Sequence, residues 1–160
     1  MVPAVAAIRQ GPKAASLLAS FAHDLSGTGT VVRGLIQKPG GKLVDVASGR
    51  SYPILQNLGP GSKSCRVDPR GMAEASQTLR DAVTLGADLV VVNRFGKLEA
   101  HGQGLADEML AVMVAGIPLL TVLNVEHLAR WLDFTGGAGT LLMPERDSLD
   151  RWWAQVRKTG

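Results

Sequence analysis

The chain has 160 residues, 46% hydrophobic and 19% charged, a globular composition with room for one domain around one core. Seventeen basic and fourteen acidic residues leave a net charge of +3, with no block of five like charges, which excludes the polyelectrolyte grip of a general nucleic-acid binder. One cysteine, Cys65, excludes an intrachain disulfide, and the scattered His23, His101 and His127 give no zinc-ligand spacing, so no metal site is expected.

The N-terminal MVPAVAAIRQ holds a short apolar stretch before Arg9, without the basic start and long apolar run of a signal peptide. No later apolar run approaches the ~20 residues of a membrane span, and a cytoplasmic protein without membrane contact is expected. Ala4–Ile8 reads as a first buried strand. Lys13–Leu25 places Leu17, Leu18, Phe21, Ala22 and Leu25 at helical spacing. Val31–Gln37 reads as a second strand. Leu43–Ala47 and Tyr52–Gln56 form a predicted hairpin around Ser48-Gly49-Arg50, on or beside the main sheet. Gly59–Arg66 reads as a loop. Asp68 as N-cap and Pro69 in the first turn announce a helix that ends at Gly86. Leu89–Val92, nearly all branched aliphatic, marks a strand buried on both faces of a parallel sheet. A polar loop, Asn93–Gly104, leads to a helix over Leu105–Ala115. Ile117–Leu123 is another buried strand, and Asn124 caps a helix reaching Trp131 or Leu132. Thr140–Met143 is a last short strand and Asp147–Arg157 a last helix. Alternating strands and helices with uniformly apolar strands predict a three-layer αβα domain. Its sheet should be mostly parallel, with Ala4–Ile8, Val31–Gln37, Leu89–Val92 and Ile117–Leu123 as neighbours.

Ligands of open α/β sheets gather beyond the carboxyl ends of the strands. That rule selects the loops Arg9–Lys13, Gln37–Lys42, Asn93–Gly104 and Asn124–His127. The first joins Gly11, Lys13 and Ser16 where a phosphate-binding loop would sit, but lacks the second Gly and the Lys-Ser/Thr pair of G-x-x-x-x-G-K-[ST]. It is either a reduced phosphate loop or an ordinary strand-to-helix turn. After Leu89–Val92 come Asn93 and Arg94, then Lys97 and Glu99. Asn is a weak Mg²⁺ ligand and Arg cannot act as a base near neutral pH, a pair suited to holding an anion more than hydrolysing one. Alternatively, Arg94 and Lys97 only solvate a turn.

Residues 48–123 resemble the small bacterial and archaeal nucleoside-triphosphatases related to the human cancer-related one. Asn93-Arg94-Phe95-Gly96-Lys97-Leu98-Glu99 stands where those enzymes carry Asp-Glu-Ile-Gly-Lys-Met-Glu, and Ser48-Gly49-Arg50 stands where they carry Thr-Gly-Glu. Gly102–Leu105 and Gly116-Ile117-Pro118-Leu119-Leu120-Thr121 follow the same pattern. Asn57-Leu58-Gly59-Pro60-Gly61-Ser62, Cys65-Arg66 and Asp68-Pro69 resemble a bacterial branch of that group, some of whose members stand near molybdenum-transport genes. The resemblance implies a P-loop-NTPase-like fold with both nucleotide-hydrolysis motifs altered.

Within Gly59–Arg66, the residues Ser62, Lys63, Ser64 and Arg66 offer two hydroxyls and two cations for a phosphate or tetrahedral oxyanion, or else merely close the hairpin. The expected function is binding of a nucleotide, phosphate or oxyanion, with hydrolysis largely lost and a nucleotide with Mg²⁺ as the possible cofactor. One alternative is an active triphosphatase or nucleotide kinase with Glu99 activating water. The other is an adaptor, or a homodimer, working through a surface that bears Trp131, Trp152 and Trp153. Leu149, Trp152, Trp153 and Val156 also share one helical face, which suits simple packing.

Overall fold

The structure, a computed structural model, describes residues 4–57 and 65–159, with backbone alone at 55–57, 65–67 and 159. Strand β1 (Val5–Arg9) leads into helix α1 (Ala14–Gly27) and strand β2 (Val32–Lys38). Three short strands follow, β3 (Lys42–Asp45), β4 (Ser51–Pro53) and β5 (Leu55–Asn57), then β6 (Cys65–Val67), helix α2 (Pro69–Leu85) and strand β7 (Leu89–Val91). The chain continues through a single-turn helix α3 (Lys97–Ala100), helix α4 (Ala106–Val114) and strand β8 (Leu119–Leu123). A 3₁₀ turn at Val125–His127, helix α5 (Leu128–Phe134), strand β9 (Thr140–Leu142) and helix α6 (Arg146–Thr159) complete it.

Seven strands form one sheet in the order β4-β3-β2-β7-β8-β1-β9. From β2 to β9 every pairing is parallel, as the apolar strands predict. All residues of β7 and β8 are buried. Successive side chains point to opposite faces, and two apolar cores result. Val90, Leu119 and Leu123 join Leu79 of α2, Met109 of α4 and Trp131 of α5 on one face. Leu89, Val91 and Leu120 join Phe21 of α1 and Leu149 and Trp152 of α6 on the other. The architecture is the expected three-layer αβα.

Several boundaries differ from the sequence reading. The segment Gln37–Lys42, read as a ligand-facing loop, is a hairpin turn: Lys38 pairs with Lys42 and β3 runs antiparallel to β2. Gly40 at φ +84° and Gly41 at φ +70° make so tight a reversal possible. The predicted strand Tyr52–Gln56 is divided at Ile54, with β4 extending the main sheet and β5 pairing with β6 in a separate two-stranded sheet. Cys65 and Arg66, read as loop, therefore lie in β6. Asp68 caps α2 as read, its carboxylate accepting the Arg70 N–H at 2.9 Å. Asn124 likewise accepts the Glu126 N–H at 3.0 Å, although it opens the 3₁₀ turn before α5.

Helix α6 is welded to α1 by Arg146, whose guanidinium donates to Asp24 at 2.7 Å and to Asp150 at 3.0 Å and lies over the Phe21 ring. Those two carboxylates raise its pKa above the usual arginine value. Trp131 and Trp152 are fully or almost fully buried, and Trp153 packs half-buried beneath Arg157. The indoles of Trp131 and Trp152 thus fill the space between helix and sheet, the simple packing that the helical face of Trp152 suits.

Gly34 in β2 has φ +120°, and a Cβ there would collide with the Val91 carbonyl oxygen of β7. Gly34→Ala should destabilise the fold by roughly 1–3 kcal/mol from overpacking alone, read as a lower urea midpoint. Gly29→Ala, at φ +88° with open space around the added methyl, should lose markedly less.

Candidate functional site

The loop after β7 is held from two sides. The ladder to β8 continues past the strand, with Val92 N–H donating to Leu120 O at 3.0 Å and Phe95 N–H to Val122 O at 2.8 Å. The buried Phe95 ring packs edge-on against Trp131, centroids 5.3 Å apart, and against Phe134 at 5.1 Å. From below, the Glu99 carboxylate accepts the Gly96 N–H at 2.9 Å on one oxygen and the Leu105 N–H at 3.0 Å on the other. Glu99 is almost completely buried, yet both oxygens are hydrogen-bonded, as a buried carboxylate requires. Gly104 makes the grip possible: its φ is +58°, and a Cβ would collide with Glu99 Oε2. Short helix α3 and the turn after it, read as polar loop, are organised around this one side chain.

Against this loop, a cavity of about 90 Å³ is lined by Asn93, Arg94, Lys97 and Glu99, with Leu43, Met72 and other apolar side chains as walls. It is small beside the ~300–1,000 Å³ pockets of drug-sized ligands. Asn93 is only 8% exposed, and its Oδ1 is buried without a hydrogen-bond partner. Leaving such an acceptor unpaired costs about 1–3 kcal/mol. Arg94 and Lys97 are exposed, and neither cationic head has an ion-pair partner among the described residues. Arg94 folds back over Gly96, where an added Cβ would lie 3.2 Å from its Nε.

Lys13 and Ser16 stand elsewhere. They line a broad open cavity of about 590 Å³ with Leu17, Ser20 and the turn Pro144-Glu145-Arg146. The Ser16 hydroxyl donates to the Lys13 carbonyl at 3.0 Å. The connection from β1 to α1 is four residues long, with Gly11 O accepting the Ala14 N–H at 3.2 Å, and Gly11 lines neither cavity. Lys13 and Ser16 thus line a different cavity from Arg94 and Lys97. The cause is topological, because β8 lies between β1 and β7 and sets them about 10 Å apart, two strand spacings.

With both oxygens accepting backbone N–H groups, the Glu99 carboxylate ties this loop together. Glu99 stands three residues after Gly96, the spacing at which a glutamate reaches back to the N–H that opens a helix. That signal is present in the sequence. Ser62, Lys63 and Ser64 lie outside the described residues, and of the Cys65 and Arg66 side chains nothing is described. Among the described residues, no group of three or more His, Cys, Asp or Glu side chains is placed to hold a metal ion. No helix there is long and apolar enough to cross a membrane.

The sheet order and the two helical layers define a three-layer αβα domain with a mostly parallel sheet. The same fold occurs in THEP1 from the hyperthermophile Aquifex aeolicus, with a TM-score of 0.66 over 95% of each chain. At 11% identity that likeness is one of fold alone. The chain belongs to the family described as "Protein of unknown function (DUF2478)", whose model matches residues 3–152. It is also 39% identical over 147 residues to "Molybdenum import ATP-binding protein ModC 2" of Bradyrhizobium diazoefficiens, a match covering 86% of this chain and 16% of that protein. The chain thus spans about a sixth of that relative's length.

Removing the Glu99 tie should loosen the whole loop. Glu99→Ala gives up two charge-assisted hydrogen bonds, each worth about 1.5–3 kcal/mol, and should lower the melting temperature. Amide hydrogen exchange at Gly96 and Leu105 should accelerate with it. Unchanged exchange at both amides would show that the loop holds its shape without the carboxylate.

Proposed function

We propose that this domain binds a phosphate-type oxyanion, free or at the end of a nucleotide, beyond the carboxyl end of β7, and that it hydrolyses nucleotides poorly or not at all. The observation that carries this reading is the cavity's inventory of polar groups. One buried amide with an unpartnered oxygen lies beside two cations that have no ion-pair partner among the described residues. Arg94 presents a planar fork that can grip two oxygens at once and stays charged at any physiological pH.

The same groups suit a Mg²⁺-nucleotide badly. Magnesium prefers carboxylate and water oxygens, and the strand end offers the Asn93 amide, while both Glu99 oxygens already accept N–H groups. The four-residue β1–α1 turn leaves little backbone to wrap a triphosphate. Altered hydrolysis motifs, the expectation drawn from the sequence, agree with this. The name of the 39% identical relative contains both ATP binding and molybdenum import, so ATP and molybdate belong among the ligands to be tested beside phosphate.

Calorimetric titration should find an oxyanion that binds. Arg94→Ala should weaken it by one to two decades, the equivalent of ~1.5–3 kcal/mol, and Lys97→Ala less, since lysine acts as a point charge. Circular dichroism of both variants should match the parent, as neither side chain is in the core. ATP or GTP with Mg²⁺ should release phosphate no faster with the protein than without it. Robust turnover by the unaltered chain would refute the loss of hydrolysis, and unchanged affinity in Arg94→Ala would move the site away from this loop.

A further inference from the structure

We infer that strand β9 is an interface between two copies of this chain. An antiparallel pairing of β9 with its counterpart, about a two-fold axis at Leu141, joins two seven-stranded sheets into one. This edge lies three strands from β7, and the pairing is independent of the anion-binding reading.

The register shows which backbone groups are free to form it. Leu119 N–H donates to Ala4 O at 2.7 Å and Gln10 N–H to Leu123 O at 2.8 Å, so the even-numbered residues of β1 direct their N–H and C=O groups to β8. The odd-numbered ones, Ala7 among them, face β9 on the other side. Ala7 lies opposite Leu141, and in a parallel ladder a residue bonds to the two neighbours of the residue it faces. Thr140 and Leu142 thus complete the ladder to β1. The N–H and C=O of Leu141 point outward, where the sheet has no further strand among the described residues.

The two edges of the sheet are unlike. At the far edge β4 carries Pro53, which has no N–H to offer, and exposes only Ser51 and Pro53 on either side of the buried Tyr52. Strand β9 has no proline, no charged side chain and no bulge to discourage pairing. Leu141 is 38% and Met143 51% exposed. A groove of about 390 Å³ follows this edge, lined by Thr140–Met143 and by Arg151, Trp152 and Gln155 of α6.

Charge and symmetry make a second copy the occupant. Residues 134–144 carry no charged side chain, so two such edges meet without like charges opposed. An antiparallel two-fold lets the two Leu141 residues exchange both N–H···O bonds across the axis. It also sets Met143 opposite Gly139, which has no side chain of its own to compete for the space.

The experiment is sedimentation equilibrium of the full chain over a wide range of concentrations. The unaltered chain should form reversible dimers and nothing larger, because pairing at β9 leaves only the two β4 edges outside. Leu141→Pro removes an N–H that the ladder to β1 does not use. Its circular dichroism should stay that of the parent while the dimer's dissociation constant rises about tenfold or more. Leu141→Lys and Leu141→Glu should each be monomeric alone, through like charges on the axis. An equimolar mixture of the two should dimerise again, since position 141 of one copy meets position 141 of the other. These charge variants carry the test if Leu141→Pro loses its fold. A chain that stays monomeric at every concentration overturns the inference. So does a dimer that survives Leu141→Lys, which would use another face, and so does a mixture that stays monomeric.

Discussion

Two strands with no face toward water, β7 and β8, set the terms for the rest of the molecule. Helices cover both sides of them, so every side chain along their length has to be apolar or internally satisfied. Thr121 is the one polar residue on β8, and its hydroxyl donates to the Val92 carbonyl at 2.8 Å, tying the two strand ends together. Chemistry has no place within such strands. It is displaced to the first residues beyond them, which is where Asn93 and Arg94 stand.

Those residues gain something that a surface loop lacks. Phe95, wedged between Trp131 and Phe134, and Glu99, gripping the N–H groups of Gly96 and Leu105, fix the backbone on both sides of Arg94 and Lys97. The cations project from a frame already ordered by the core, so a ligand meets them without first ordering the loop itself. A buried aromatic and a buried carboxylate thus serve the site without touching what it would hold.

The centre of the sheet was readable in advance because β7 and β8 are short runs of branched aliphatic residues, interrupted only by Thr121, as burial on both faces requires. The caps at Asp68 and Asn124 were readable for a different reason: a side chain that bonds its own neighbouring N–H acts locally, and local sequence records it. What escaped was non-local. Nothing in residues 52–56 says that Ile54 divides two sheets, since its backbone partners are Gly41 and Asp68. Nothing in Lys13 or Arg94 says that β8 is threaded between their strands. Glu99 was within reach through its spacing from Gly96, but a polar stretch with several glycines hid a single helical turn. The tryptophans allowed two readings, because an amphipathic face can meet either a partner or the protein's own sheet.

The order of the strands also divides the chain's entropy unequally. Strands β2, β3 and β4 are joined by tight turns and pair with their immediate neighbours in sequence. Hairpins of that kind close within microseconds. Strand β1 has no such neighbour: Val5 lies opposite Leu119 and Ala6 opposite Thr140, more than a hundred residues away. Closing those loops costs far more chain freedom before any contact compensates for it. During synthesis β1 stays without its sheet neighbours until β8 and β9 have been made.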